Sequence, residues 1–115
     1  MKTYKPFSVV VVPFPFTDAS RTKRRPALVL SSEEHQKSTE HVTLAMITSA
    51  KHSSWVDDYK IFELEKTGLT AESIVRQKIF TIDARLIIDE AGKLSASDRN
   101  NVIKKTRRHF SGFLS

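Results

Sequence analysis

Between Pro6 and Pro13 the chain reads 7-FSVVVV-12, an apolar run with four consecutive valines closed at both ends by proline. So short a run, rich in β-branched side chains, suits a pleated strand and not a helix. Pro13 and Pro15 have no N–H to offer a neighbouring strand, which assigns 13–16 to a sheet edge or to the exit from the strand. A strand constrained in this way needs partners, and the following sequence supplies them. The segment 26-PALVLSS-32 reads as a second strand, ended by Ser-Ser-Glu-Glu. In 41-HVTLAMITS-49, Val42, Leu44, Met46 and Thr48 alternate with Thr43, Ala45 and Ile47, the period of a third strand. A polar segment containing Trp55 leads to 58-DYKIFEL-64, read as a fourth strand. Gly68 breaks the chain, and 73-SIVR-76 and 78-KIFTID-83 read as two more short strands.

The C-terminal part changes period. Ser95-Ala96-Ser97-Asp98 has the S-x-x-D form of a helix-capping motif, and Val102, Ile103, Phe110, Phe113 and Leu114 recur at near-helical spacing. The expected fold is mainly β with α, an α+β class. It is a single domain over residues 1–115, a small, strongly bent antiparallel sheet or barrel with one C-terminal amphipathic helix.

Charge is distributed unevenly. Residues 1–30 carry six basic side chains against Asp18, and residues 93–115 carry six against Asp98, while the middle is net acidic within an overall charge of +6. Such poles fit either a solubilising surface or a polyanion binder. With no cysteine, disulfides and thiolate metal sites are excluded, and a reducing, cytoplasmic setting is expected. No apolar run approaches the roughly 20 residues of a membrane span, and the start, MKTYKPF, lacks the pattern of a signal peptide.

The chemistry open to the chain is limited. His35, His41, His52 and His109 show no zinc-site spacing, and the three glycines form no phosphate-cradling loop, so neither metal nor cofactor is expected. Arginine, threonine, serine and histidine remain. These suffice for attack of an RNA 2′-hydroxyl on its own phosphate, because the substrate brings the nucleophile and the protein need only position it, move protons and stabilise charge. Arg25, immediately before Pro26, reads either as a solvated loop cation or as a fork for two phosphate oxygens at a rigid strand mouth. Thr48 reads either as a strand-end turn cap or as a hydroxyl emerging where the strand leaves the core. Trp55 reads as a base-stacking ring or as an anchor of its loop to the core.

The strings 10-VVVPFPFTD-18, 23-KRRPALVLSS-32, 47-ITSA-50 and 74-IVRQKIFTID-83, in that order, resemble the PemK/MazF-type toxins of bacterial toxin–antitoxin pairs. The resemblance implies an SH3-like barrel of the CcdB/Kid/MazF kind with a C-terminal helix, paired as a homodimer. It implies a metal-independent endoribonuclease that cuts single-stranded RNA at short motifs, leaving 2′,3′-cyclic phosphate and 5′-hydroxyl ends, and a cognate antitoxin as partner. The family's arginine before proline falls on Arg25 and its threonine of the I-T block on Thr48, the two catalytic candidates. The loop 17–24 would help form the RNA groove, bringing in Thr17, Asp18, Ser20, Lys23 and Arg24. Ser49, His52, Arg76 and Lys78 complete the expected RNA contacts. Two departures stand out: the first loop reads DASRTK where many relatives have glycines, and Lys78 occupies a position where some carry a catalytic acid. The alternative is a non-catalytic barrel, such as a gyrase-directed poison of the CcdB type, a nucleic-acid binder or a degenerate family member.

Overall fold

The computed structural model describes residues 2–14, 23–51 and 54–113. Its strands are β1 (Ser8–Phe14), β2 (Lys23–Val29), β3 (His41–Ser49), β4 (Tyr59–Lys60), β5 (Ser73–Asp83) and β6 (Asp89–Lys93), and its helices are α1 (Glu33–Thr39) and α2 (Ala96–His109). The strands form one antiparallel sheet in the order β4-β5-β3-β2-β1-β6, curled into a half-barrel whose end strands do not pair with each other. The mainly-β fold with a C-terminal helix is therefore as expected.

Strand alternation sends side chains to two faces, and both are packed. On one face Val10, Val12, Ala27, Val29, Val42, Leu44 and Ile82 form a cluster closed by Tyr4, Ala84 and Ile87. Buried Gln36 of α1 secures that cover: its Oε1 accepts the Tyr4 N–H and its Nε2 donates to the Tyr4 carbonyl, both at 2.8 Å. On the other face Val9, Leu28, Ala45, Ile47 and Val75 pack with Ile61, Leu94 and Val102 of α2. Each fully buried valine or leucine contributes about 1.5–3 kcal/mol.

The cap of α2 is as the S-x-x-D pattern predicts at its backbone end, where Ser95 Oγ accepts the Asp98 N–H at 3.1 Å. The Asp98 carboxylate, fully buried, instead accepts from the Tyr59 hydroxyl and from the N–H groups of Phe62 and Glu63, at 3.1 and 2.9 Å. It thereby ties the helix to β4 and the loop beyond. Burial alone would raise its pKa, but these donors together hold it below the usual carboxylate range. Burial, reinforced by the Asp98 charge, pushes the Tyr59 phenol up to about 12, so it remains a donor across the physiological range.

Several boundaries differ from the expectation. The fourth strand contracts from 58–64 to Tyr59–Lys60, because the chain turns into a 3₁₀ segment, Leu64–Lys66, under the grip of Asp98. Helix α2 stops at His109, followed by a separate 3₁₀ turn, Ser111–Phe113, while Leu114 lies outside the described residues. Helix α1 arises where Ser-Ser-Glu-Glu was read only as a strand end: Ser32 Oγ accepts the His35 N–H, and Glu33 and Glu34 lie in the first turn. Strand β6 is polar and has no strand-like pattern. It is held by pairing with β1 and by a close approach at Gly92, where a Cβ would come within 2.3 Å of the Lys66 carbonyl oxygen.

The segments 73–76 and 78–83 are one continuous strand with an irregularity at Gln77. Ala45 pairs with Ile79 and the next residue, Met46, pairs with Arg76, so β5 carries two additional residues, Gln77 and Lys78, at this point. Bulges of this kind re-aim side chains beside functional sites. Gln77 is buried and donates to Thr106 of α2 at 3.1 Å, while Arg76 and Lys78 are delivered to the opposite face.

Candidate active site

The face closed by Tyr4 and Ile87 at one end is open at the other. There Phe14, Arg25, Met46, Thr48, Arg76 and Lys78 line a cleft of about 300 Å³, with Ser49, Ala71, Glu72 and Ser73 also in its lining. These residues continue the alternation of the core: Phe14 follows Val10 and Val12, Arg25 precedes Ala27 and Val29, and Thr48 follows Val42 and Leu44. The β2–β3 ladder pairs Ala27 with Met46; carried two residues further, the same register brings Arg25 level with Thr48. Arg25 and Thr48, more than twenty positions apart in sequence, thus come level because each lies on the cleft face beyond the buried part of its strand.

Of the sequence-derived candidates, Arg25, Thr48, Ser49, Arg76 and Lys78 share this cleft. Arg25 and Lys78 are exposed, and Thr48 and Ser49 are half-buried. The turn after β3 is capped by Ser49, whose Oγ accepts the Lys51 N–H at 3.2 Å, so the capping role considered for Thr48 belongs to its neighbour. Lys78 Nζ stands 5.6 Å from the centroid of the Phe14 ring, a cation–π contact across the cleft. Lys23 and Arg24 are exposed on β2 but do not line the cleft, and alternation puts Arg24 with Leu28 on the helix-facing side of the sheet. Thr17, Asp18, Ser20 and His52 lie outside the described residues.

Arg76 differs from the other cations. Its Nε and Nη2 donate to Asp58 Oδ1 and Oδ2 at 3.1 and 2.9 Å, and both side chains are only 10% exposed. Its guanidinium lies 4.9 Å from the centroid of the Trp55 ring. Burial tends to raise the Asp58 pKa, but hydrogen bonds from Arg76 and the Trp55 N–H, with the charge of Arg76, hold it below the ordinary range. The hydrogen bonds to Asp58, with its charge, push Arg76 upward against the effect of burial. Asp58 is therefore an ionised partner occupied by Arg76, and the cleft wall at Arg76 is braced from behind. Sequence reading missed Asp58 because it was placed at the start of a strand; its proximity to Arg76 comes from the turn at 55–58.

Glu72 is an acid that also lines the cleft, 3.3 Å from Lys60 in a largely exposed ion pair, which contributes little to stability. Among the described residues no group of three or more His, Cys, Asp or Glu side chains is arranged to hold a metal ion. None of the described helices is long and apolar enough to cross a membrane. The cleft offers a guanidinium, a hydroxyl and an ammonium converging on one open volume, an arrangement that attracts a phosphodiester.

The family model described as PemK-like, MazF-like toxin of type II toxin-antitoxin system matches residues 5–110. No curated protein matches the chain in sequence at a significant level. Among solved structures, the MazE–MazF complex of Deinococcus radiodurans superimposes with a TM-score of 0.76 at 17% identity, covering 96% of this chain and 98% of that one. The Mycobacterium tuberculosis toxin MazF-mt6 gives 0.71 at 21% identity, covering 90% and 96%. A mycobacterial endoribonuclease in complex with its cognate antitoxin gives 0.75 at 11% identity, covering 95% and 96%. At these identities the structural likeness establishes the fold.

Proposed function

Because the chain belongs to the PemK-like, MazF-like toxin family of type II toxin–antitoxin systems, we propose that it is an endoribonuclease that cuts single-stranded mRNA and so inhibits translation and growth. The observation that carries this reading is the meeting of Arg25 and Thr48 in one open cleft with Lys78. In the proposed reaction the 2′-oxygen of a ribose attacks the adjacent phosphorus. The 2′-hydroxyl proton is released, the bond from phosphorus to the 5′-oxygen breaks, and that oxygen leaves protonated. The products are a 2′,3′-cyclic phosphate and a 5′-hydroxyl. The Arg25 fork holds two non-bridging oxygens as negative charge grows on them and assists proton transfer; Thr48 orients a phosphate oxygen or the 2′-hydroxyl. Lys78 attracts a flanking phosphate. Lys23 and Arg24 act at longer range by steering the strand. No step requires a metal.

Incubation of the pure protein with long single-stranded RNA of varied sequence in EDTA tests this reading. Fragments ending in cyclic phosphate are expected, and Thr48→Ala is expected to slow their formation about tenfold, the loss of one hydroxyl hydrogen bond. RNA left intact by the wild-type protein would overturn the reading and favour a non-catalytic, gyrase-directed or nucleic-acid-binding role.

The protein is also proposed to act in the cytoplasm and to be held inactive by a cognate antitoxin. Support for the partner comes from related structures described as complexes with MazE or with a cognate antitoxin. A homodimer is proposed on the apolar end of the chain, where Phe113 is 75% exposed and forms an open groove with Phe7, Leu30, Ile103 and Phe110. Light scattering at micromolar concentration should give twice the 13.1 kDa chain mass; a monomer would contradict the pairing.

A further inference from the structure

Trp55 is 46% exposed and belongs to neither hydrophobic cluster, so its ring is not a loop anchor buried in the core. It is nevertheless firmly placed. The Trp55 N–H donates to Asp58 Oδ2 at 2.8 Å, and its carbonyl accepts the Asp58 N–H at 3.2 Å, closing a tight turn. Asp58 is gripped by both Nε and Nη2 of Arg76, whose guanidinium stacks on the Trp55 ring. Next to it, Asp57 adopts a positive φ of 67°, and its buried carboxylate lies 3.3 Å from Arg108 Nε at the end of α2. The turn is thus attached to the bulge of β5 on one side and to α2 on the other. The partly exposed ring does not itself line the cleft of Arg25, Thr48 and Lys78; it adjoins that cleft through Arg76, which belongs both to the cleft wall and to the support of the ring.

We infer that Trp55 is a stacking wall for an unpaired base of the RNA next to the scissile phosphate, with Arg76 and Asp58 as positioning residues that hold the ring at the cleft. The inference rests on the ribonuclease reading and adds to it a specificity-determining contact. A ring fixed before the substrate arrives loses little conformational freedom on binding, and every base presents a π-face to it. Arg76 under the ring withdraws electron density from it, which favours stacking of an electron-rich base on the opposite face. The bulge of β5 then has a second role: it delivers Lys78 to the phosphate side and Arg76 to the base side of the same cleft.

Trp55 is the single tryptophan of the chain, so its fluorescence reports on its own surroundings. The probe is a 2′-O-methyl oligonucleotide spanning a cut site mapped with the wild-type protein; it lacks the nucleophile and stays whole. Binding, followed by anisotropy of a labelled probe, should quench tryptophan emission. An oligonucleotide of the same length made abasic beside the cut site should bind more weakly and leave emission unchanged. In cleavage assays Trp55→Ala should raise KM about tenfold with kcat largely kept, while Trp55→Phe restores most of the loss. Arg76→Lys, which keeps the charge but lacks the fork, should reduce the quench and raise KM in the same direction.

Binding of the base-bearing probe without any change in emission would overturn the inference, as would Trp55→Ala cutting the same sites at unchanged KM. So would an emission change produced by a protein partner and not by RNA, which would assign the ring to a protein interface. These results leave the ribonuclease reading standing. If the wild-type protein cuts no RNA, that reading falls and this inference falls with it. The quench is read on the wild-type chain, so it does not depend on how well any variant folds.

Discussion

Arg25→Ala is expected to lower the rate of RNA cleavage by about a hundred- to a thousandfold, the usual consequence of removing a donor aimed at charge that develops in a transition state. The reason is positional. Arg24 and Arg25 are adjacent, exposed and chemically identical, and only Arg25 lines the cleft with Thr48. A strand reverses its side-chain direction at every residue, so one guanidinium reaches the cleft and the other lies on the α2 side. Arg24→Ala should therefore cost no more than about threefold, through weaker long-range attraction, and that loss should shrink as salt rises. Arg25→Lys should fall between, since an ammonium keeps the charge and loses the two-toothed grip. Equal losses from Arg24→Ala and Arg25→Ala, measured at one salt concentration with folding checked by circular dichroism, would show that charge alone matters and that the register argument is wrong.

Asp98→Ala should destabilise the fold by about 3–5 kcal/mol, because it strips the acceptor from three donors that are then left without partners. Urea unfolding at neutral pH measures this. The pH dependence has a definite sign. The folded pKa of Asp98 lies below its ordinary value of 3.8, so its stabilisation is fully present above that value and fades as the pH falls through the lower, folded pKa. Asp58 and Asp83 are shifted the same way and contribute to any acid unfolding. The difference between wild type and Asp98→Asn isolates Asp98 and should narrow below pH 3.8. A gap that stays constant through that range would refute the assignment.

The PemK/MazF-type resemblance and the mainly-β fold were legible in the sequence, and β3 and the Ser95 cap show why. A period of two over nine residues and a capping serine are local signals, set by backbone geometry and independent of what packs nearby. Strand β6 and the bulge were not legible for the opposite reason. The residues Asp89–Lys93 become a strand only because β1 offers an edge, and Gln77 interrupts the pattern of β5 because its partner, Thr106, belongs to the terminal helix. The site divides along the same line. Arg25 and Thr48 lie at the ends of well-patterned strands, whereas Asp58 is joined to Arg76 across a separation of eighteen residues by a turn whose geometry no local pattern announces. Trp55 was poorly legible because the ring packs on a cation, a contact that hydrophobic periodicity does not register.

The two-sided sheet has a consequence for how such a protein can vary. One face is packed and fastened to α2, while the other is packed for part of its length and then opens into the cleft. The open part is continuous with the core and contributes little to it, so on the proposed reading a side chain there is judged by the substrate, while a side chain one step further along the same strand is judged by folding. A boundary of a single residue, between Arg25 and Ala27 or between Leu44 and Met46, separates the two kinds of selection. On the proposed ribonuclease reading, preference for a different RNA can therefore be acquired at the rim of the strands while the neighbouring scaffold is left untouched.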